Sequence, residues 1–229
     1  TNEEYFVINK FANLLNRNDL LSKGKSNVYF ADDHIFNGYF DEEYQKGTFE
    51  DLDTSDAIVV WAEDIKDNLP VLYLRIKKAV KNGVKLVVFG HTNTALESLA
   101  DLYLGSEFIS NNFELKMSLS NIKGLKNIID NKKVTTIVGK STPLQQKKSL
   151  DTLVKHLQKV SDLKIFNCFS KANTFGALHH IDQLKGLNEF CNEYGNSKKN
   201  IVFTIGANPV NSSFFGSKIK EILQDVDYV

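Results

Sequence analysis

Apolar residues along this chain follow two alternating rhythms. Short unbroken runs, "NVYFAD" (27–32), "DAIVVWA" (56–62), "VKLVVFG" (84–90), "VTTIVG" (134–139), "LKIFNC" (163–168) and "NIVFTIG" (200–206), are rich in β-branched and aromatic residues. They lack polar alternation, the pattern of strands buried on both faces. A last strand is predicted to begin at "DYV" (227–229). Between the runs the spacing becomes helical. From Leu69, the residues Leu72, Ile76, Ala79 and Val80 share one face, Pro70 suits the first turn, and Gly83 suits a left-handed cap. Residues 145–160 carry a stripe of Leu150, Leu153, Val154, Leu157 and Val160. Residues 213–224 carry Phe214, Phe215, Ile219, Ile222 and Leu223.

Strand and helix alternate without hairpin signals, which predicts an α/β fold of parallel sheets flanked by helices. The stretch 103–131, rich in Asn and Ser, is less regular and is expected to cross from one lobe to another. One run ends in a way that invites a ligand. "NIVFTIGANPV" stops on Gly206-Ala207-Asn208-Pro209, and in open parallel sheets ligands lie beyond the carboxyl ends of strands. Gly206 would admit a close approach to the backbone, Asn208 offers a donor and an acceptor, and Pro209 fixes the exit. The same residues also suit a plain corner after a buried strand, and spacing alone favours the corner.

At 229 residues the chain has room for one generous domain or two small lobes. Its 28 basic and 28 acidic residues cancel without a long block of either sign, so the footprint of a nucleic-acid binder is missing. No run approaches the roughly 18 uninterrupted apolar residues of a membrane helix, so direct membrane insertion is not expected. Cys168 and Cys191 are too far apart for a C-x-x-C site and read as reduced core thiols. The chain opens on Thr1 and closes on "DVDYV", which gives the expectation of a piece of a longer protein.

Several motifs fail on inspection. Gly139-Lys140-Ser141 follows a strand, but a phosphate loop needs another glycine where Val134 stands. His179-His180 has only Asp182 close by, too few partners for a metal. Asn211-Ser212-Ser213 matches a glycosylation acceptor with nothing else to suggest secretion. Neither a G-x-S-x-G elbow nor a Ser/His/Asp grouping can be singled out.

Taken together the pieces resemble the molybdopterin oxidoreductase superfamily over nearly the whole chain. "TNEEYFVINKFANLL" is similar to a segment that follows that family's iron–sulfur domain. "SDAIVVWAEDIKDNLPVLYLRIKKAVKNGVKLVVFG" is similar to its strand, Pro-led helix and next strand. "ANTFGALHH" and "IVFTIGANPV" resemble two later elements. The resemblance implies two α/β lobes, a discontinuous one from 1–28 with 132–229 and a second from 45–125.

In catalytic members the Gly-x-Asn-Pro turns contact a pterin guanine dinucleotide carrying molybdenum or tungsten. This chain keeps that turn at Gly206, Asn208 and Pro209 but reads Ala62-Glu63-Asp64-Ile65 at the first one. Within the superfamily it looks most like the large iron–sulfur subunit of NADH–quinone oxidoreductase (respiratory complex I), where the fold is a scaffold. That likeness implies no catalytic residue, metal or cofactor in this stretch, and iron–sulfur clusters in a preceding amino-terminal part. It also implies other peripheral subunits as partners, on the cytoplasmic face of a bacterial inner membrane or the mitochondrial matrix side. The alternatives are a molybdenum or tungsten pterin-dinucleotide enzyme, with Gly206, Asn208 and Pro209 binding the cofactor, and a small-ligand-binding α/β protein.

Overall fold

A computed structural model describes residues 2–16, 27–30, 44–61, 64–90, 94–105, 122–138, 147–168, 176–177, 180–181, 184–194, 201–205, 207–212 and 216–226. In chain order the elements are α1 (Asn2–Asn16), β1 (Val28–Phe30), α2 (Phe49–Thr54), β2 (Ala57–Trp61), α3 (Ile65–Asn68) and α4 (Pro70–Lys81). There follow β3 (Lys85–Phe89), a 3-10 turn (Glu97–Leu99), β4 (Leu102–Leu104), α5 (Leu125–Ile129), β5 (Lys133–Val138) and α6 (Lys147–Val160). The last are β6 (Asp162–Asn167), β7 (Leu184–Gly186), α7 (Leu187–Tyr194), α8 (Pro209–Ser212) and α9 (Gly216–Asp225). They fall into two compact units: Asn37–Cys168, and a discontinuous one of Thr1–Phe36 with Phe169–Val229.

The unit Asn37–Cys168 is built on a five-stranded sheet, parallel throughout, in the order β4-β3-β2-β5-β6. Every residue of β2 is buried, as its unbroken apolar run requires of a central strand. Ala57, Val59 and Trp61 face one layer, filled by Leu125 and Ile129 of α5 and Leu150, Leu153, Val154 and Leu157 of α6. Ile58 and Val60 face the other, filled by Leu52 of α2, Ile65 of α3 and Leu72, Ile76 and Ala79 of α4. Each buried Val, Leu or Ile among them contributes about 1.5–3 kcal/mol by leaving water. The sheet is therefore covered on both faces, as the alternating pattern predicts.

Helix α4 follows its sequence signals closely. Pro70 occupies the first turn, where its missing N–H costs nothing. At the far end Gly83 adopts a left-handed φ of 101°. Its N–H donates to the Val80 carbonyl and the Val84 N–H reaches the Ala79 carbonyl, closing a Schellman motif.

The edges of the sheet are treated differently. β4 is only three residues long. Along β6, residues 45–47 run as an extended strap: Ile165 N–H donates to the Gln45 carbonyl at 2.8 Å, and Gly47 N–H to the Ile165 carbonyl at 2.7 Å.

The discontinuous unit carries a two-stranded parallel sheet, β1 against β7. Its core gathers Leu187, Cys191, Ile219 and Ile222, with Tyr29, Phe190 and Tyr194 against them. Beside it Glu193 accepts from Tyr29 Oη at 2.6 Å and from Lys185 Nζ at 2.7 Å.

Three expectations need correction. Residues 132–168, assigned above to the discontinuous lobe, belong to the five-stranded sheet, because β5 pairs along its length with β2. The stretch 103–131 is no crossing between lobes: its described ends supply the end of β4 and α5 to that same unit. The run 200–206 is not a buried strand where it is described. Ile201 makes a single bridge, 202–205 have no regular structure, and Ile201, Phe203 and Ile205 are about 60% exposed. The strand predicted at 227–229 lies outside the described residues.

Candidate functional site

In a parallel sheet of this order the chain leaves the two central strands in opposite directions. From β2 it passes through α3 and α4 to β3; from β5 it passes through α6 to β6. The crevice beyond the carboxyl ends of β2 and β5 is thus the topological switch point, where ligands of such sheets sit. β2 ends at Trp61 and β5 at Val138, which face each other in register. Ala62, Glu63 and Gly139, Lys140 and Ser141 lie outside the described residues.

What is described at this end is apolar with one acid. Trp61 is fully buried and stacks on Phe89, ring centroids 5.3 Å apart. Its indole N–H finds no partner among the described residues, nor does the hydroxyl of Thr136, on the same face of the neighbouring strand. Asp64, half-buried, stands at the start of α3 and makes no side-chain capping bond; its carbonyl instead accepts from Asn68. Gly90 follows β3 directly, its N–H bonded to the Leu104 carbonyl.

The second turn belongs to the other unit. Asn208 is exposed and precedes Pro209, the first residue of the four-residue α8. The Asn208 side-chain oxygen accepts from the Asn211 N–H at 3.2 Å. The pair therefore starts a helical turn, the geometry of a corner. Gly206 lies outside the described residues. A glycine that the sequence reading missed supports this corner: a β-carbon on Gly216 would collide with the Val210 carbonyl. Its only signal in the sequence was a glycine within the helix predicted over 213–224.

Cys168 and Cys191 are both buried, and neither forms a disulfide among the described residues. His180 is half-buried and His179 lies outside the described residues. Val134 sits buried inside β5, which accounts for the failed phosphate loop. Among the described residues no group of three or more His, Cys, Asp or Glu gathers as a metal ion would need. Among the same residues no helix is long and apolar enough to cross a membrane.

Ionisable groups are perturbed away from the switch point. The bond from Lys164, with those from Thr48, holds Asp51 below the ordinary carboxylate range. Partial burial works against ionisation of Asp101, but Lys85 and the Leu86 N–H prevail and hold it low. Burial lowers His156, aided by the charge of Lys159 and opposed by that of Asp130. A groove of about 520 Å³ opens at the opposite, amino end of the sheet, lined by Asp56, Lys132, Lys133, Lys159 and Asp162.

A doubly wound parallel sheet with its crevice at the switch point defines a Rossmann-like α/β protein. The molybdopterin oxidoreductase family matches residues 1–229, and the chain belongs to that family. It is also similar to a nitrate reductase of Shewanella frigidimarina (strain NCIMB 400), 31% identical over 103 residues. The match covers 44% of this chain and 11% of that protein, so the chain spans a small part of its relative's length.

Proposed function

We propose that this chain forms α/β scaffold of the large iron–sulfur subunit of an NADH–quinone oxidoreductase, supporting electron transfer from NADH to quinone without holding a pterin cofactor. The observation that carries this reading is Asp64, half-buried at the carboxyl end of β2 and without a side-chain bond to the helix it precedes. A pterin dinucleotide presents a diphosphate, and such an anion wants glycine N–H groups or cations. A carboxylate about 5 Å from a phosphate charge opposes it by about 3 kcal/mol at an effective dielectric of about 20. That exceeds the roughly 1 kcal/mol of a typical hydrogen bond. Glu63, next to Asp64 in sequence, adds a second negative charge. The described residues therefore do not fit the group.

In this reading the partners are the other peripheral subunits, on the cytoplasmic face of a bacterial inner membrane or the mitochondrial matrix side. Iron–sulfur clusters would reside in a preceding part of the polypeptide.

The likeness to a nitrate reductase favours a second reading, a molybdenum or tungsten enzyme whose pterin dinucleotide meets Gly206, Asn208 and Pro209. Metal analysis of the intact protein from its native host separates the two. The scaffold reading expects iron without molybdenum or tungsten. About one molybdenum or tungsten per chain overturns it.

A further inference from the structure

The two edges of the five-stranded sheet differ in how they are closed to other chains. An edge strand presents unpaired N–H and C=O groups that template pairing with another strand. β4 limits the hazard by its three-residue length. β6 has six residues, and alternate ones along it turn their backbone groups outward. Asp162 and Cys168 donate inward to the Lys132 and Val138 carbonyls of the β5 side. Ile165, at the middle, therefore turns both its N–H and its C=O to the edge, where the strap takes both.

The strap is fitted closely. A β-carbon on Gly47 would lie 3.2 Å from the Ile165 carbonyl carbon and from the Phe166 nitrogen, backbone atoms that cannot swing aside. The Asp51 carboxylate then ties strap to strand. One oxygen accepts from the Thr48 N–H at 2.7 Å, and the other accepts from Lys164 Nζ of β6 at 2.6 Å. Phe49 packs edge-on to Phe166, centroids 5.1 Å apart.

We infer that residues 45–47 are a surrogate sixth strand whose role is to keep β6 from pairing with β6 of a second copy of this chain, with Lys164–Asp51 as its latch. Gly47 sets how closely the strap lies and Asp51 holds its end. The device acts within one unit, and it does not depend on the proposed function.

Two variants test it by different routes. Gly47→Val pushes the strap off by its bulk. Lys164→Gln releases the latch while leaving the bonds between Asp51 and Thr48. Circular dichroism and the fluorescence of Trp61 confirm folding, and Lys164→Gln serves alone should Gly47→Val fail to fold. In amide hydrogen exchange the Ile165 N–H loses protection by about tenfold or more in the variants. Sedimentation then shows concentration-dependent association that the wild-type chain lacks. Unchanged protection of Ile165, lost protection without association, or equal association of the wild type each overturns the inference.

Discussion

The indole of Trp61 lies against the ring of Phe89, centroids 5.3 Å apart and planes inclined by 30°, at paired positions of β2 and β3. Both are fully buried, so the pair packs the carboxyl ends of β2 and β3 into the core. Trp61 is the single tryptophan of the chain and reports on this unit alone. Its emission is expected to be blue-shifted in the folded protein and to move red on unfolding. Phe89→Ala, which leaves a cavity beside the indole, should cost about 3–5 kcal/mol. Urea titration followed by tryptophan fluorescence measures this, and a loss under 1 kcal/mol would show that the ring is not packed as described.

Gly216 touches the Val210 backbone so closely that no side chain fits. Gly216→Ala should destabilise the discontinuous unit by about 1–3 kcal/mol through overpacking. Amide exchange should quicken in α7 and α9 while β2 and β5 keep their protection. Uniform quickening across both units contradicts this.

Asn208→Ala removes the acceptor that Asn211 uses in the first turn of α8. A lost cap of this kind costs about 0.5–2 kcal/mol, and the exposure of Asn208 places it at the low end. Under the proposed scaffold role, electron transfer by the assembled protein should be unchanged. A stable, assembled variant with almost no turnover would instead mark Asn208 as part of a working cofactor site.

Acid should weaken the protein through its paired carboxylates. Asp51 and Asp101 are held below the ordinary value of 3.8, and Glu193 below 4.5, chiefly by its bond from Lys185. A depressed folded value means stability that is complete above the unfolded one and lost as pH falls through the folded one. The loss therefore falls below about pH 4.5, and Lys85→Met should reduce the acid sensitivity. At the alkaline end Tyr29 is pushed upward, first by burial and then by its bond to Glu193. Its raised value supplies stability below about pH 10 that fades as pH rises beyond it. Thermal melts across pH, with ultraviolet titration of the tyrosines, check both ends.

Much of the fold was legible because burial and periodicity agreed. The unbroken run at 57–61 is a central strand, and the stripe Leu150, Leu153, Val154 and Leu157 is wholly buried. Pro70 and Gly83 bound α4 through backbone effects that do not depend on neighbours. What was lost depended on distant partners. Which sheet β5 joins is decided by its register with β2, a relation without trace in local sequence. β4 is too short to show a period, and the strap announces itself only through Gly47. The run at 201–205 shows that apolar β-branched residues state a preference for burial without ensuring it. At the candidate site, the acid beside β2 could be read directly, whereas the orphaned N–H of Trp61 needed coordinates.

The order of the sheet also bears on how the protein is made. Asp56, at the head of β2, bonds to Lys133, 77 residues further on. At about 5–20 residues per second the ribosome needs several seconds to deliver that partner. Throughout that interval one flank of the most apolar strand has no neighbour, and nascent chains are exposed there to chaperones and to misassociation.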